Sequence, residues 1–170
     1  YPKVLSHGLN GIIEEAEAEL EGIRFLSRDD IERRRFLEAV VIAFRAINHL
    51  ASRFADMAGA KAQTETNPEQ RERLQRIEET CRWVPAKPAR SFHEALQCFW
   101  LIYLVCNPSP TIGIGRFDQF MYPFYKKDKE TGRIKDEEVV ELLCELRVKD
   151  MELVRGALRS EKRMQHAGMA

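Results

Sequence analysis

The sequence predicts an all-α fold of about six helices. Apolar residues recur at three- and four-residue spacing through most of the chain, and capping signals and prolines fall at the joins between those stretches. Nothing alternates strongly enough to read as a strand.

From about Lys3 to Glu21, Leu5, Leu9, Ile12, Ile13, Ala16 and Leu20 form a helical stripe interrupted by Gly8 and Gly11. Ser27 and Asp30 have the spacing of a capping box and open the longest periodic stretch. There Phe36, Val40, Ala43, Ile47, Leu50, Phe54 and Met57 step by four and three, which predicts one buried face. Asn67-Pro68-Glu69 combines a cap, a proline where its missing N–H costs nothing, and an acidic residue that suits the helix dipole. The third helix then runs to about Trp83 and is ended by Pro85 and Pro88. Ser91-Phe92-His93-Glu94 is a second capping box and starts a helix to about Asn107. Pro108 and Pro110 force a loop, and Gly113 and Gly115 permit unusual backbone angles. Arg116 to Lys127 reads as a short helix broken by Pro123, and Lys129 to Arg133 as a turn. Asp136 is expected to cap the last helix, with Val139, Leu142, Leu143, Leu146 and Met151 as its stripe.

The fourth helix is apolar all round its second half, from Phe99 through Val105, so it needs packing partners on every side. Its uninterrupted apolar run, Cys98 to Cys106, is nine residues long. A bilayer span needs about 20, so this is a core helix and no membrane role is expected. A central place in a larger body is implied, and the chain by itself is expected to leave apolar surface open and to self-associate.

With 170 residues the chain suits one domain, and its 27 Lys and Arg balance its 27 Asp and Glu. Without a net field to gather phosphate polymers or anionic lipids, nucleic acid is not an expected partner. Four cysteines without C-x-x-C spacing and the lack of a secretory pattern point to reduced thiols in the cytoplasm. Cys98 and Cys106, eight apart on one helix, lie roughly 12 Å apart and cannot pair.

Several constellations fail as sites. His93-Glu94 with Gln97 begins like a zinc-protease helix, but glutamine stands where the second histidine ligand belongs, and no metal site is expected. Glu94 instead completes the cap and His93 lies on the helix surface. Ile112-Gly113-Ile114-Gly115-Arg116 has Asp118 where a dinucleotide fingerprint needs glycine. Lys126, Lys127 and Lys129 interleave with Asp128 and Glu130, as in a solvated turn. Arg116 and Asp118 stand among Phe117, Phe120, Met121, Tyr122, Phe124 and Tyr125, which suggests partial burial. Paired charges in apolar surroundings favour a structural network anchoring the loop over direct substrate contact.

Two stretches, Pro88-Ala89-Arg90-Ser91-Phe92-His93-Glu94-Ala95-Leu96-Gln97 and Gly115-Arg116-Phe117-Asp118-Gln119-Phe120-Met121-Tyr122-Pro123-Phe124-Tyr125, resemble the glycyl-radical enzymes of the pyruvate formate-lyase-like family. Trp83-Val84-Pro85-Ala86, Leu9-Asn10-Gly11-Ile12 and the acidic helix after Gly132 extend the resemblance over almost the whole chain. Gly-Arg-Phe-Asp-Gln looks more like the branch of dehydratases, arylacetate decarboxylases, choline lyase and hydrocarbon-succinate synthases than like formate acetyltransferase. The resemblance implies that residues 1–170 are a partial, helical, N-terminal-side portion of a larger α/β-barrel enzyme. Such an enzyme is expected to be a cytoplasmic homodimer in anaerobic metabolism and to cleave C–C, C–O or C–N bonds of a small organic substrate. In the family a separate radical SAM activase makes a glycine backbone radical, which converts a cysteine to a thiyl radical that takes hydrogen from the substrate.

Neither radical-bearing element is present in these residues. Arg147-Val148 is followed by Lys149-Asp150 rather than by the glycyl motif, and the four cysteines all lie in helical stretches. The chain is therefore expected to be inactive alone, to bind no cofactor and to hold no catalytic residue, with Thr111, Gly113, Arg116 and Asp118 as cavity-lining or loop-anchoring candidates. Dehydratase-type relatives carry serine hydroxyls just before Gly-Arg-x-Asp-Gln, whereas in Thr111-Ile112-Gly113-Ile114, which stands there in this sequence, Thr111 alone offers one. That implies a substrate less hydroxylated than glycerol or propanediol. The competing reading is a catalytically inactive helical structural or interaction module.

Overall fold

The computed structural model describes residues 1–24, 27–106 and 114–167, with side chains up to Leu153. Six helices follow one another: α1 (Pro2–Gly22), α2 (Arg28–Thr64), α3 (Pro68–Trp83), α4 (Phe92–Cys106), α5 (Phe117–Glu130) and α6 (Asp136–Ala167). There is no strand among the described residues.

Local chemistry sets most of these boundaries. Ser27 Oγ accepts from Asp30 N at 3.2 Å while Asp30 Oδ2 accepts from Ser27 N at 3.0 Å, the reciprocal cap expected of α2. Asn67 Oδ1 accepts from Glu69 N and Gln70 N at 3.0 and 3.4 Å at the start of α3. The α4 cap is shifted by one position: Ser91 Oγ accepts from Glu94 N at 3.2 Å, but the Glu94 carboxylate reaches back to Arg90 N at 2.7 Å. At α6 the expected cap is not used. Asp136 is already the first helical residue, and its carboxylate is taken by Tyr125 Oη and Lys129 Nζ at 3.0 and 2.5 Å. Glu138 instead caps the helix, accepting from Lys135 N at 3.0 Å.

The buried face of α2 differs from the expected stripe. Leu37, Val41, Ile47, Ala51, Ala55, Ala58, Gly59 and Ala62 face inward, while Phe36 and Met57 are 67% and 53% exposed. Small residues win because α2 and α3 pack along most of α3 and need close approach; hydrophobic spacing alone cannot rank alanine above phenylalanine. The first half of α2 packs on α1 through Ile13, Ala16, Leu37 and Val41.

At Gly8 the backbone of α1 leaves helical geometry (φ 70°, ψ 168°), a region essentially restricted to glycine. This break turns main-chain groups of α1 toward the segment after α3. Leu9 N donates to Pro85 O at 2.8 Å, Asn10 N to Ala86 O at 3.0 Å, and Ala89 N to Leu5 O at 3.0 Å. The Val84–Pro85 peptide bond is cis. A Cβ on Gly8 would lie 2.5 Å from Ala86 O and 2.6 Å from the Lys87 carbonyl carbon, so the approach has no room for a side chain. Trp83 braces the same segment, donating Nε1–H to Pro88 O at 2.8 Å with the Arg90 guanidinium 3.9 Å from its ring centre.

Helix α4 packs against α1, α2, α3 and α5. Leu5, Val84, Phe92, Ala95, Leu96, Cys98, Met121 and Ile134 form the central core, flanked by Val139, Leu142 and Leu146 of α6. Pro123 does not break α5, contrary to the sequence-based expectation. An interior proline costs about 3 kcal/mol. Met121 is buried beside it and Phe117, Phe120 and Phe124 are partly buried in the same core; a fully buried side chain of this kind contributes roughly 1.5–3 kcal/mol, so the four together offset the proline.

Gly8→Ala is expected to destabilise the chain by at least about 2 kcal/mol, the sum of a glycine-only conformation and a backbone collision. Urea unfolding followed by circular dichroism measures this, and an unchanged midpoint would contradict the geometry at the kink.

Candidate functional site

Helices α4 and α5 form an antiparallel hairpin. Its closed end carries the turn with Gly115, Arg116 and Asp118, and Phe99 of α4 is the hub of the packing beneath. Phe99 is buried, with ring centres of Tyr1, Phe117, Tyr103 and Phe120 at 4.8, 5.1, 5.5 and 6.0 Å. Edge-on, tilted and stacked contacts of this kind add to the burial of the rings and fix their positions. Tyr103 extends the platform to α6, donating its hydroxyl to Asp150 Oδ1 at 3.0 Å, and Arg147 Nη1 holds Asp150 Oδ2 at 2.5 Å. Burial, with Cys106 and Tyr103 nearby, raises the Tyr1 phenol above its ordinary pKa, so it stays protonated.

Gly115 has φ 70°, which turns the chain into α5. Arg116 is the N-cap residue, and its carbonyl accepts from Gln119 N and Phe120 N at 3.0 and 3.3 Å. Arg116 Nε lies 3.5 Å from Asp118 Oδ1, with the side chains 77% and 67% exposed. The expectation of partial burial is therefore wrong for this chain. Phe117, Phe120, Phe124 and Tyr125 pack against the central core, while Tyr122 is 57% exposed and the charged pair stands outside that packing. A Gln119 amide donating at 3.0 Å, and then Arg116, lower the Asp118 carboxyl below its usual pKa. An ion pair this exposed contributes little to stability, so the ring cluster anchors the turn and the pair is free to meet something else.

The turn thus offers a carboxylate acceptor and a guanidinium donor side by side. That arrangement can orient a small polar molecule or close against another segment of protein. It contains no nucleophile. Among the described residues, no group of three or more His, Cys, Asp or Glu could hold a metal ion. Thr111 and Gly113 lie outside the described residues.

His93 is half-buried rather than on the surface. Burial, then the Arg76 charge, lower its pKa, against weaker opposition from Glu94 and Glu145. Asp128, read from the sequence as part of a solvated turn, is 1% exposed. Its spacing from Met121 and Phe124 (seven and four residues) places it on the inner face of α5, the signal that could have found it.

A profile of the pyruvate formate lyase-like family matches residues 1–168. The isethionate sulfite-lyase of Oleidesulfovibrio alaskensis is 44% identical over 148 residues, 84% of this chain and 18% of that protein. A solved structure concerned with 1,2-propanediol dehydration in Roseburia inulinivorans is 40% identical, with a TM-score of 0.79 over 84% of this chain and 18% of the other. A glycyl radical enzyme from Archaeoglobus fulgidus is 33% identical, with a TM-score of 0.79 over 86% and 19% of the two chains. The chain spans less than a fifth of the length of these relatives.

Arg147-Val148-Lys149-Asp150 is helical and has no glycine. Cys81 lies in α3, Cys98 and Cys106 in α4, and Cys144 in α6, none on a loop. Burial pushes the Cys81 and Cys98 thiols up to about 11 and about 12, so neither forms thiolate near neutrality. Cys106 and Cys144 are exposed. With a disulfide reagent at pH 8, Cys106 and Cys144 are expected to react within minutes, and Cys81 and Cys98 only after denaturant is added. Equal labelling of all four in the native chain, read by mass spectrometry, would contradict this burial pattern.

Proposed function

The chain belongs to the pyruvate formate lyase-like family, and we propose that it forms the helical, N-terminal-side part of the catalytic domain of a glycyl-radical lyase or dehydratase acting on a small organic substrate. The observation that supports this best is the joint match of sequence, over residues 1–168, and of backbone, over 84% of the chain, to such enzymes.

Radical abstraction needs a cavity closed to water and competing reactants. The exposed end of α4 and the charged turn that follows it in the chain are the parts suited to wall such a cavity once the rest of the enzyme encloses them. Arg116 and Asp118 then fix the turn or orient a polar group of the substrate, with Thr111 and Gly113 in the segment leading up to them. The thiyl cysteine and the glycyl radical belong to parts of the enzyme outside these 170 residues, and the chain alone is inactive. A radical SAM activase installs the radical, and the working enzyme is a cytoplasmic homodimer.

With Thr111 the hydroxyl-bearing residue of the stretch 111–114 directly before the turn, the substrate carries fewer hydroxyls than a diol. The similarity to isethionate sulfite-lyase makes isethionate the first compound to test. The full-length protein, activated anaerobically by its activase, is expected to release sulfite from isethionate faster than it dehydrates propane-1,2-diol. Dehydration of the diol at the higher kcat/KM would overturn the substrate assignment, and turnover of a substrate without any glycyl radical in the electron paramagnetic resonance spectrum would overturn the enzyme class.

A further inference from the structure

We infer that Asp128 is a positioning residue for the Gly115–Asp118 turn, acting on it from the opposite end of the α4–α5 hairpin. The inference rests on the reading of that turn as part of a cavity wall.

Asp128 is the most deeply buried charged side chain among the described residues, and both of its oxygens are engaged. Oδ2 accepts from Phe92 N at 2.7 Å, so a residue near the end of α5 satisfies one of the amides that α4 leaves unpaired in its first turn. Oδ1 accepts from Arg133 Nη1 at 3.2 Å, and the same nitrogen lies 3.4 Å from Arg90 O. The Asp128 carbonyl accepts from Arg133 N at 2.8 Å and from Thr131 Oγ1 at 3.3 Å, which closes the turn into α6. One residue therefore joins the start of α4, the end of α5 and the α5–α6 connection.

A carboxylate is costly to bury, and a cap for α4 could have come from its own flanking residues, as Ser91 already supplies for Glu94 N. What Asp128 adds is register: it permits one sliding position of α5 along α4. Four residues of α5 lie between Pro123 and the clamp, and the helix on the other side of the proline continues unbroken to Phe117. A shift at the clamp is therefore carried along the rod to the turn, about 18 Å away at 1.5 Å per residue over twelve residues. The ring cluster around Phe99 fixes the far end of the rod by packing, and the clamp adds a second, hydrogen-bonded fixing point at the near end.

Asp128→Asn keeps the shape and removes the charge, and Asp128→Glu restores the charge on a longer arm. Arg133→Gln removes the second partner at a side chain that is 54% exposed, so it preserves the core if the Asp128 variants fail to fold. In the full-length, activated enzyme, Asp128→Asn is expected to lower kcat/KM by roughly 10- to 100-fold, the range a small misplacement of a positioning group produces. KM should rise while radical content per protomer stays at the wild-type level, Arg133→Gln should give a smaller change in the same direction, and Asp128→Glu should recover part of the loss. Hydrogen exchange should quicken at residues 116–120 as well as beside the clamp. Faster exchange confined to residues 91–94 and 128–134, with KM unchanged, would overturn the inference and leave Asp128 a local cap. Arg116 and Asp118 variants that carry the radical and keep wild-type kcat and KM would instead refute the reading of the turn, an outcome distinguishable from failure of the clamp.

Discussion

Helix α4 has no polar face in its second half, and the rest of the chain is arranged around that constraint. A solvent-exposed helix normally keeps one side wet. Here α1, α2, α3 and α5 pack around α4, and α6 adds Val139, Leu142 and Leu146 to the core it shares. The covering is complete at Phe99 and Leu101 and fails at the C-terminal end, where Val105 is 44% exposed. The Arg116–Asp118 turn follows that end in the chain, and its Phe117 packs on Phe99 in the middle of α4.

Two joints hold this arrangement, and both work through the main chain. At Gly8 the lack of a side chain lets residues 8–10 pair with the segment after α3, tying the start of the chain to the entrance of α4. At Asp128 a buried carboxylate ties the same entrance to the end of α5. The entrance of α4 is thus fixed from both sides, and the hairpin leaves it in a defined direction toward the turn. Surface ion pairs such as Arg73–Glu145 and Arg45–Glu17 decorate the helices without setting this geometry, since exposed pairs contribute little.

Much of the architecture was legible in the sequence because it is encoded locally. Ser27, Asn67-Pro68 and Ser91 place three helix starts through hydrogen bonds between neighbours in the chain. Long-range effects were not legible. Alanines rather than Phe36 and Met57 face inward on α2 because α3 approaches closely there, and the sequence of α2 contains no record of that approach. Pro123 sits within a helix because the core grips both sides of it. Arg116 and Asp118 keep company with aromatic residues in sequence but stand outside the packing of those residues, so proximity along the chain misstated their burial. Gly8 read only as an interruption, since its purpose lies in residues 85–87.

The account stands on the claim that the open end of α4 and the turn that follows it are interior surfaces of a larger enzyme. Cryo-electron microscopy of the full-length protein with substrate bound tests this most directly. The account predicts Val105 covered by other parts of the enzyme, and Arg116 and Asp118 beside an enclosed cavity that holds the substrate. A structure with that end of α4 and the turn still facing solvent, and the substrate elsewhere, would contradict it.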